Sequence, residues 1–118
     1  MELTSKEAYE VLGGRSVVNR FVAQTNKMFG QWADVSITPC IDEENPEEMD
    51  FLNLQIEMKY NSNPDLSDKY MEQKEDAVTD HVAEFLNNHE LYFQYECSGD
   101  GDEGQILSYR IYAPDEKF

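Results

Sequence analysis

The spacing of apolar positions along this chain changes several times, and each change marks an element. Thr4-Ser5-Lys6-Glu7 has the capping-box spacing, followed by Ala8, Val11 and Leu12 as an apolar stripe and Gly13-Gly14 as a stop, which predicts a short helix. From Ser16 to Gly30, Val17, Val18, Phe21, Val22, Met28 and Phe29 recur at helical spacing, with Asn19, Arg20, Gln24 and Lys27 between them. A second helix with one buried face follows. Period two then takes over: Val35, Ile37 and Ile41 alternate with other residues, and Pro39 removes a ladder donor, so this strand belongs at an edge or carries a bulge. In the next strand Leu52, Leu54, Ile56, Met58 and Tyr60 point one way while Asn53, Gln55, Glu57 and Lys59 point the other.

Past the turn-rich Asn61-Ser62-Asn63-Pro64-Asp65, Ser67 caps a long helix running to about Asn88, with Tyr70, Met71, Val78, Val82 and Phe85 on one face. Leu91, Phe93, Tyr95 and Cys97 alternate next, Ser98 to Gly104 forms a glycine-rich acidic connection, and Leu107, Tyr109 and Ile111 alternate again. That predicts a hairpin with a long tip. The order α-α-β-β-α-β-β over residues 1–118 predicts a single α+β domain, a mostly antiparallel four-stranded sheet packed by helices on one face. Wet alternation argues against covering both faces, which would read as continuous apolar runs. There is no internal repeat beyond the two hairpins and no domain linker.

Composition supports a folded chain, because 40% of residues are apolar, including 7 Tyr, 6 Phe and 1 Trp. Charge narrows the partners. With 25 Asp and Glu against 9 Lys and Arg, the formal charge is −16, so DNA, RNA and anionic membrane surfaces would repel the protein. No stretch approaches the roughly 20 apolar residues that span a bilayer, and Met1-Glu2-Leu3 begins no basic-then-apolar leader, so a cytoplasmic location is expected. Cys40 and Cys97 cannot form a disulfide framework; one bridge requires that the fold bring them together, and two reduced thiols are the expectation.

Placement of the acid is the most informative feature. Asp42, Glu43, Glu44, Glu47, Glu48 and Asp50 make a loop between the first two strands with no basic residue in it. Asp68, Glu72, Asp76, Asp80 and Glu84 repeat at four-residue intervals on the long helix, with Asp65 just before it. At about 100° per residue they form a slowly winding row opposite Tyr70, Val78 and Phe85. Like charges at i, i+4 destabilise a helix by a few tenths of a kcal/mol per pair, and only Lys69 projects among them. The row extends over roughly 24 Å. Duplex DNA carries a charge about every 1.7 Å of axis, so a mimic built on this row needs a second acidic array, which the loop and Asp100, Asp102 and Glu103 can supply if they share its surface.

Other constellations carry less. Asp100-Gly101-Asp102-Glu103-Gly104 is similar to the start of a calcium loop but lacks the glycine and bidentate glutamate in register, and it lies between strands. His81, Glu84 and His89 do not have the spacing that sets two imidazoles on one metal. Cys40 and Cys97 lie at no helix N-terminus and beside no basic residue, so neither is an activated nucleophile. Gly13-Gly14 has no strand before it and no phosphate-loop pattern. Neither catalytic residues, metal nor cofactor are expected. Trp32, Tyr92 and Tyr112 fall off the core pattern and suit a protein partner, the sheet's second face or packing under a helix.

These features predict a non-enzymatic protein that binds a basic nucleic-acid-binding protein through Asp68, Glu72, Asp76, Asp80 and Glu84 and through Glu43, Glu44, Glu47 and Glu48. In charge arrangement, not in sequence, this resembles the DNA-mimic inhibitors of phages and mobile elements that act against restriction, CRISPR or repair enzymes. An immunity protein neutralising a nuclease toxin uses the same steering physics. A small enzyme or ligand-binding domain with a pocket between sheet and helices is the alternative from another class. Oligomeric state is left open by the pattern.

Overall fold

Thr4 opens the first helix as its neighbours dictate: its hydroxyl accepts from the Glu7 N–H, and the Glu7 carboxylate accepts from the Thr4 N–H, closing both halves of the capping box. The computed structural model describes residues 3–113, so Met1 and Glu2 lie outside it. Seven elements follow one another: α1 (Ser5–Val11), α2 (Arg15–Phe29), β1 (Ala33–Ile41), β2 (Asp50–Met58), α3 (Asp68–Asn87), β3 (Tyr92–Asp100) and β4 (Gln105–Tyr112). The expected α+β order is observed.

The strands form one antiparallel sheet in the order β1-β2-β4-β3. β1 and β2 pair as a hairpin from Ala33↔Met58 to Ile41↔Asp50. The chain then crosses the sheet through α3, enters β3 at the far edge and returns as β4 between β3 and β2. Cross-strand rows such as Val35–Ile56–Leu107 and Ile37–Leu54–Tyr109 set the apolar residues on one face. There Ala33, Val35, Ile37, Leu52, Leu54, Ile56, Met58 and Ile111 form one buried cluster with Ala8, Tyr9 and Leu12 of the α1 region, Val18 and Phe21 of α2, and Met71, Val78, Val82 and Leu86 of α3. Each fully buried aliphatic side chain contributes about 1.5–3 kcal/mol. The alternate positions Ser36, Thr38, Asn53, Gln55 and Gln94 are polar and at most half-buried.

Helices α2 and α3 meet through rings. Phe21 stacks on Phe85 with centroids 3.9 Å apart, His81 stacks on the same Phe21 at 5.2 Å, and His89 meets Phe85 edge-on at 5.3 Å. Both histidines therefore serve packing.

Several expectations need correction. Val11, Met28 and Ile41 are exposed, at 43, 57 and 47%, because Val11 lies off the stripe of Ser5, Ala8, Tyr9 and Leu12 that α1 buries and the other two lie at element ends. Tyr60 falls past the end of β2. β3 runs on to Asp100, so the hairpin tip is shorter than the glycine-rich composition suggested. A bulge between Tyr95 and Cys97 shifts the register, so that Tyr95 faces Tyr109 on the helical side while Cys97 opposes Ser108 on the other. Cys40 and Cys97 are both free, on the two opposite edge strands, about 14 Å apart by strand spacing alone and beyond disulfide reach.

Candidate partner-binding surface

Ser67 fixes where the acidic helix begins, its hydroxyl accepting from the Tyr70 N–H, and α3 then runs 20 residues without interruption. Met71, Val78, Val82 and Leu86 hold it to the sheet. With that stripe buried, Asp68, Glu72, Asp76, Asp80 and Glu84 are all exposed. Among the described residues the ion pairs engage Asp34 and Glu96, and none engages a carboxylate of this row. Several cations are committed elsewhere. Lys59 pairs with Asp34 and donates to the Gly30 carbonyl at 2.7 Å, Arg110 lies 3.3 Å from Glu96 and 4.1 Å above the Phe51 ring, and Lys74 sits 4.0 Å over Trp32. Trp32 is thus covered by α3 and packed on the core, which leaves Tyr92 and Tyr112, rings 6.1 Å apart, as the aromatic pair off the helical face.

The loop separates its acids into two jobs. Asp42 accepts from the N–H groups of Glu44 and Asn45 at 3.0 and 3.3 Å, which curls the chain, and Asp50 accepts from Ser5. Glu43, Glu44, Glu47 and Glu48 are exposed, and among the described residues no ion pair engages them. The loop also walls a cavity of about 380 Å³ whose floor includes Leu3, Phe51 and Ile111, with Glu47, Glu48 and Tyr112 around it. That cavity lies at the end of the sheet, not between sheet and helices.

The hairpin tip is docked onto the chain that leads to α3. Asn61 donates from its N–H to the Glu103 carbonyl and from its side chain to the Asp102 carbonyl, both at 2.9 Å; the Ser62 hydroxyl bonds the Glu103 carboxylate; and the Glu103 N–H donates to Glu57 at 2.9 Å. Gly104 makes this approach possible, since a Cβ there would lie 2.1 Å from the Met58 carbonyl oxygen. Asp102 and Glu103 are therefore held against Asn61 and Ser62, in the segment that precedes α3. α3 runs from this end to the other, where β3 begins level with Phe51 and the Asp42–Asp50 loop projects. From Asp50 to Glu57 is about 23 Å at about 3.3 Å per residue, so tip and loop mark opposite ends of the length the row covers.

One acid in this region escaped the sequence reading. Glu75 occupies the slot between Met71 and Val78 on the stripe of α3, and it is half-buried. Burial raises its carboxyl above the usual range, with Asp76 and Glu72 adding to the rise. Tyr60 and Tyr109 are likewise raised, each first by burial and then by the charge of Glu75; Asp68 and Glu72 add to the effect at Tyr60. A charged residue at an apolar periodic position was the available signal. Among the described residues no group of His, Cys, Asp and Glu is arranged to hold a metal ion, and no helix is long and apolar enough to cross a membrane.

No family model, curated protein or solved structure matches this chain.

Proposed function

We propose that this protein is a non-enzymatic inhibitor that occupies the nucleic-acid groove of a basic protein in the cytoplasm, an anti-defence protein of the kind directed at restriction or CRISPR enzymes. The observation that carries this reading is the row Asp68, Glu72, Asp76, Asp80 and Glu84, all exposed and without ion pairs among the described residues. The row carries a stability cost, because its like-charge neighbours destabilise the helix that bears them. A basic groove reverses the sign of that term, and the same field steers association in a salt-dependent way. The aligned carboxylates are spaced about 6 Å apart, more sparsely than duplex phosphates, so tip and loop supply the additional charge at the two ends.

Capture from host lysate at low salt, elution at raised salt and mass spectrometry test the reading. The expected eluate is a basic nucleic-acid-binding protein that duplex DNA displaces competitively. Capture that is indifferent to duplex, or retained in full by Glu72→Gln/Asp76→Asn/Asp80→Asn, would overturn it.

A further inference from the structure

The two edges of the sheet are finished differently. At β1 the side-chain amide of Asn26 accepts from the Val35 N–H at 2.8 Å and donates to the Val35 carbonyl at 2.9 Å, occupying both outward backbone groups of that residue. Pro39 removes a further donor from that edge. At β3 every residue but Phe93 is exposed. Proteins ordinarily blunt such an edge, and among the described residues β3 carries the bulge between Tyr95 and Cys97 and the charges of Glu96 and Asp100.

Beyond the bulge the outward hydrogen-bonding groups can be assigned. The Gly101 N–H donates to the Gly104 carbonyl at 2.7 Å, and antiparallel pairs alternate between bonded and non-bonded, so Gly99–Ile106 and Cys97–Ser108 are bonded pairs. Ser98 and Asp100 therefore turn their N–H and C=O groups away from β4. Tyr92 and Tyr95, 42 and 53% exposed, oppose Tyr112 and Tyr109 and so stand on opposite faces of the same edge. From Glu90 to Gly104 there is no Lys or Arg; Glu96 is paired with Arg110 and Glu103 with Ser62, so the acids offered along this edge are Glu90, Asp100 and Asp102.

We infer that the outer edge of β3 is a strand-addition site for an extended basic segment of the partner protein. The basic character of the partner rests on the function proposed above; the site rests on the edge. Backbone groups of Ser98 and Asp100 supply the register, Tyr92 and Tyr95 flank the added strand on its two faces, and the acids select Lys and Arg over neutral or acidic strands. A second copy of this chain is a poor occupant, since it brings its own −16 to the same edge.

The test uses the full chain, labelled for NMR, and two synthetic hexapeptides of alternating Lys and Val, one with free amides and one N-methylated at every residue. Both carry the same charge, but only the first can donate from its backbone. The expected result is saturable shifts at the Ser98 and Asp100 amides with the free peptide, weakened about tenfold or more by N-methylation, the loss expected when about two net hydrogen bonds go. Ser98→Pro, which removes an outward N–H donor but leaves the Ser98 and Asp100 carbonyls, should weaken both peptides and keep most of the difference between them; if the variant fails to fold, the peptide pair still decides. Equal binding of the two peptides, shifts confined to the α3 row, or edge signals that change with protein concentration alone would overturn the inference. The triple variant Glu72→Gln/Asp76→Asn/Asp80→Asn separates the two readings: it should lose duplex-competed capture of the partner yet keep the discrimination between peptides.

Discussion

Ser5 donates twice to one oxygen of Asp50, from its N–H at 3.1 Å and from its hydroxyl at 2.7 Å. The pair pins the first turn of α1 to the first residue of β2, and the carboxylate faces the N-terminal end of the helix, where negative charge is favoured. Ser5 is 6% exposed, so removing the acceptor leaves two buried donors without it. Asp50→Ala should lower the unfolding free energy by about 2 kcal/mol, read by urea denaturation. Glu47→Gln and Glu48→Gln, in the same loop, should leave it within about 0.5 kcal/mol, as surface substitutions do. Equal effects at all three positions would mean that Asp50 is merely another surface acid.

The row on α3 makes the opposite prediction for stability. Glu72, Asp76 and Asp80 repel one another at i, i+4 and have no basic partner in an ion pair among the described residues, so neutralising them relieves like-charge pairs. Glu72→Gln/Asp76→Asn/Asp80→Asn should raise the melting temperature slightly or leave it unchanged, and should slow association with the partner while flattening its salt dependence. Asp68 should behave differently, because it lies in the first turn, where a carboxylate complements the helix dipole; Asp68→Asn should destabilise by about 0.3–1 kcal/mol. Thermal melts and stopped-flow rates at two salt concentrations check both.

Glu75 sets a pH dependence whose sign follows from its burial. Its folded-state pKa is raised above the unfolded value, so the native state holds the proton more tightly and ionisation opposes folding. The stabilisation conferred by this proton is fully present below the unfolded pKa and is lost as pH rises through the folded pKa. Glu75→Gln should therefore stabilise the protein at neutral pH and reduce the stability that the natural chain gains on mild acidification. Urea titrations at pH 7 and pH 5 provide the comparison; an unchanged pH increment in the variant would remove Glu75 as its source.

Much of this was legible before the fold was known, and the rest was hidden for definable reasons. The capping box at Thr4, the cap at Ser67 and the exposure of the acidic row are local consequences of spacing, and they hold in the structure. The strand order was not legible, because the pairing of β4 with β2 joins residues such as Leu54 and Tyr109 whose sequence neighbours say nothing of each other. Cys97 was set on the wrong face by alternation, since one extra residue at a bulge reverses every side chain after it. Asp42 and Asp50 looked like members of a uniform acidic loop, and only their distinct hydrogen-bond donors separate them from Glu43, Glu44, Glu47 and Glu48. Glu75 was passed over because the pattern was read for what lay off the apolar stripe.

The hairpin tip gives the sharpest contrast between two glycines. Gly104 has φ +154°, and a Cβ on it would come 2.1 Å from the Met58 carbonyl oxygen and 3.1 Å from the Tyr60 ring, both parts of the chain against which the tip is docked. Neither obstacle can give way cheaply, because the carbonyl is backbone and Asn61 holds the tip from the adjoining residue. Gly99, on the open edge, has nothing within 4 Å of a built Cβ. Gly104→Ala should destabilise by about 1–3 kcal/mol through strain and overpacking, while Gly99→Ala should be close to neutral. If the row and tip act as one surface, Gly104→Ala should also weaken partner capture under conditions where the protein is still folded, because Asp102 and Glu103 would no longer be held against Asn61 and Ser62. Urea denaturation of both variants, with the circular dichroism of α3 as control, separates loss of the docked tip from loss of the fold. A fully stable Gly104→Ala would show that the tip is not docked against β2 at all.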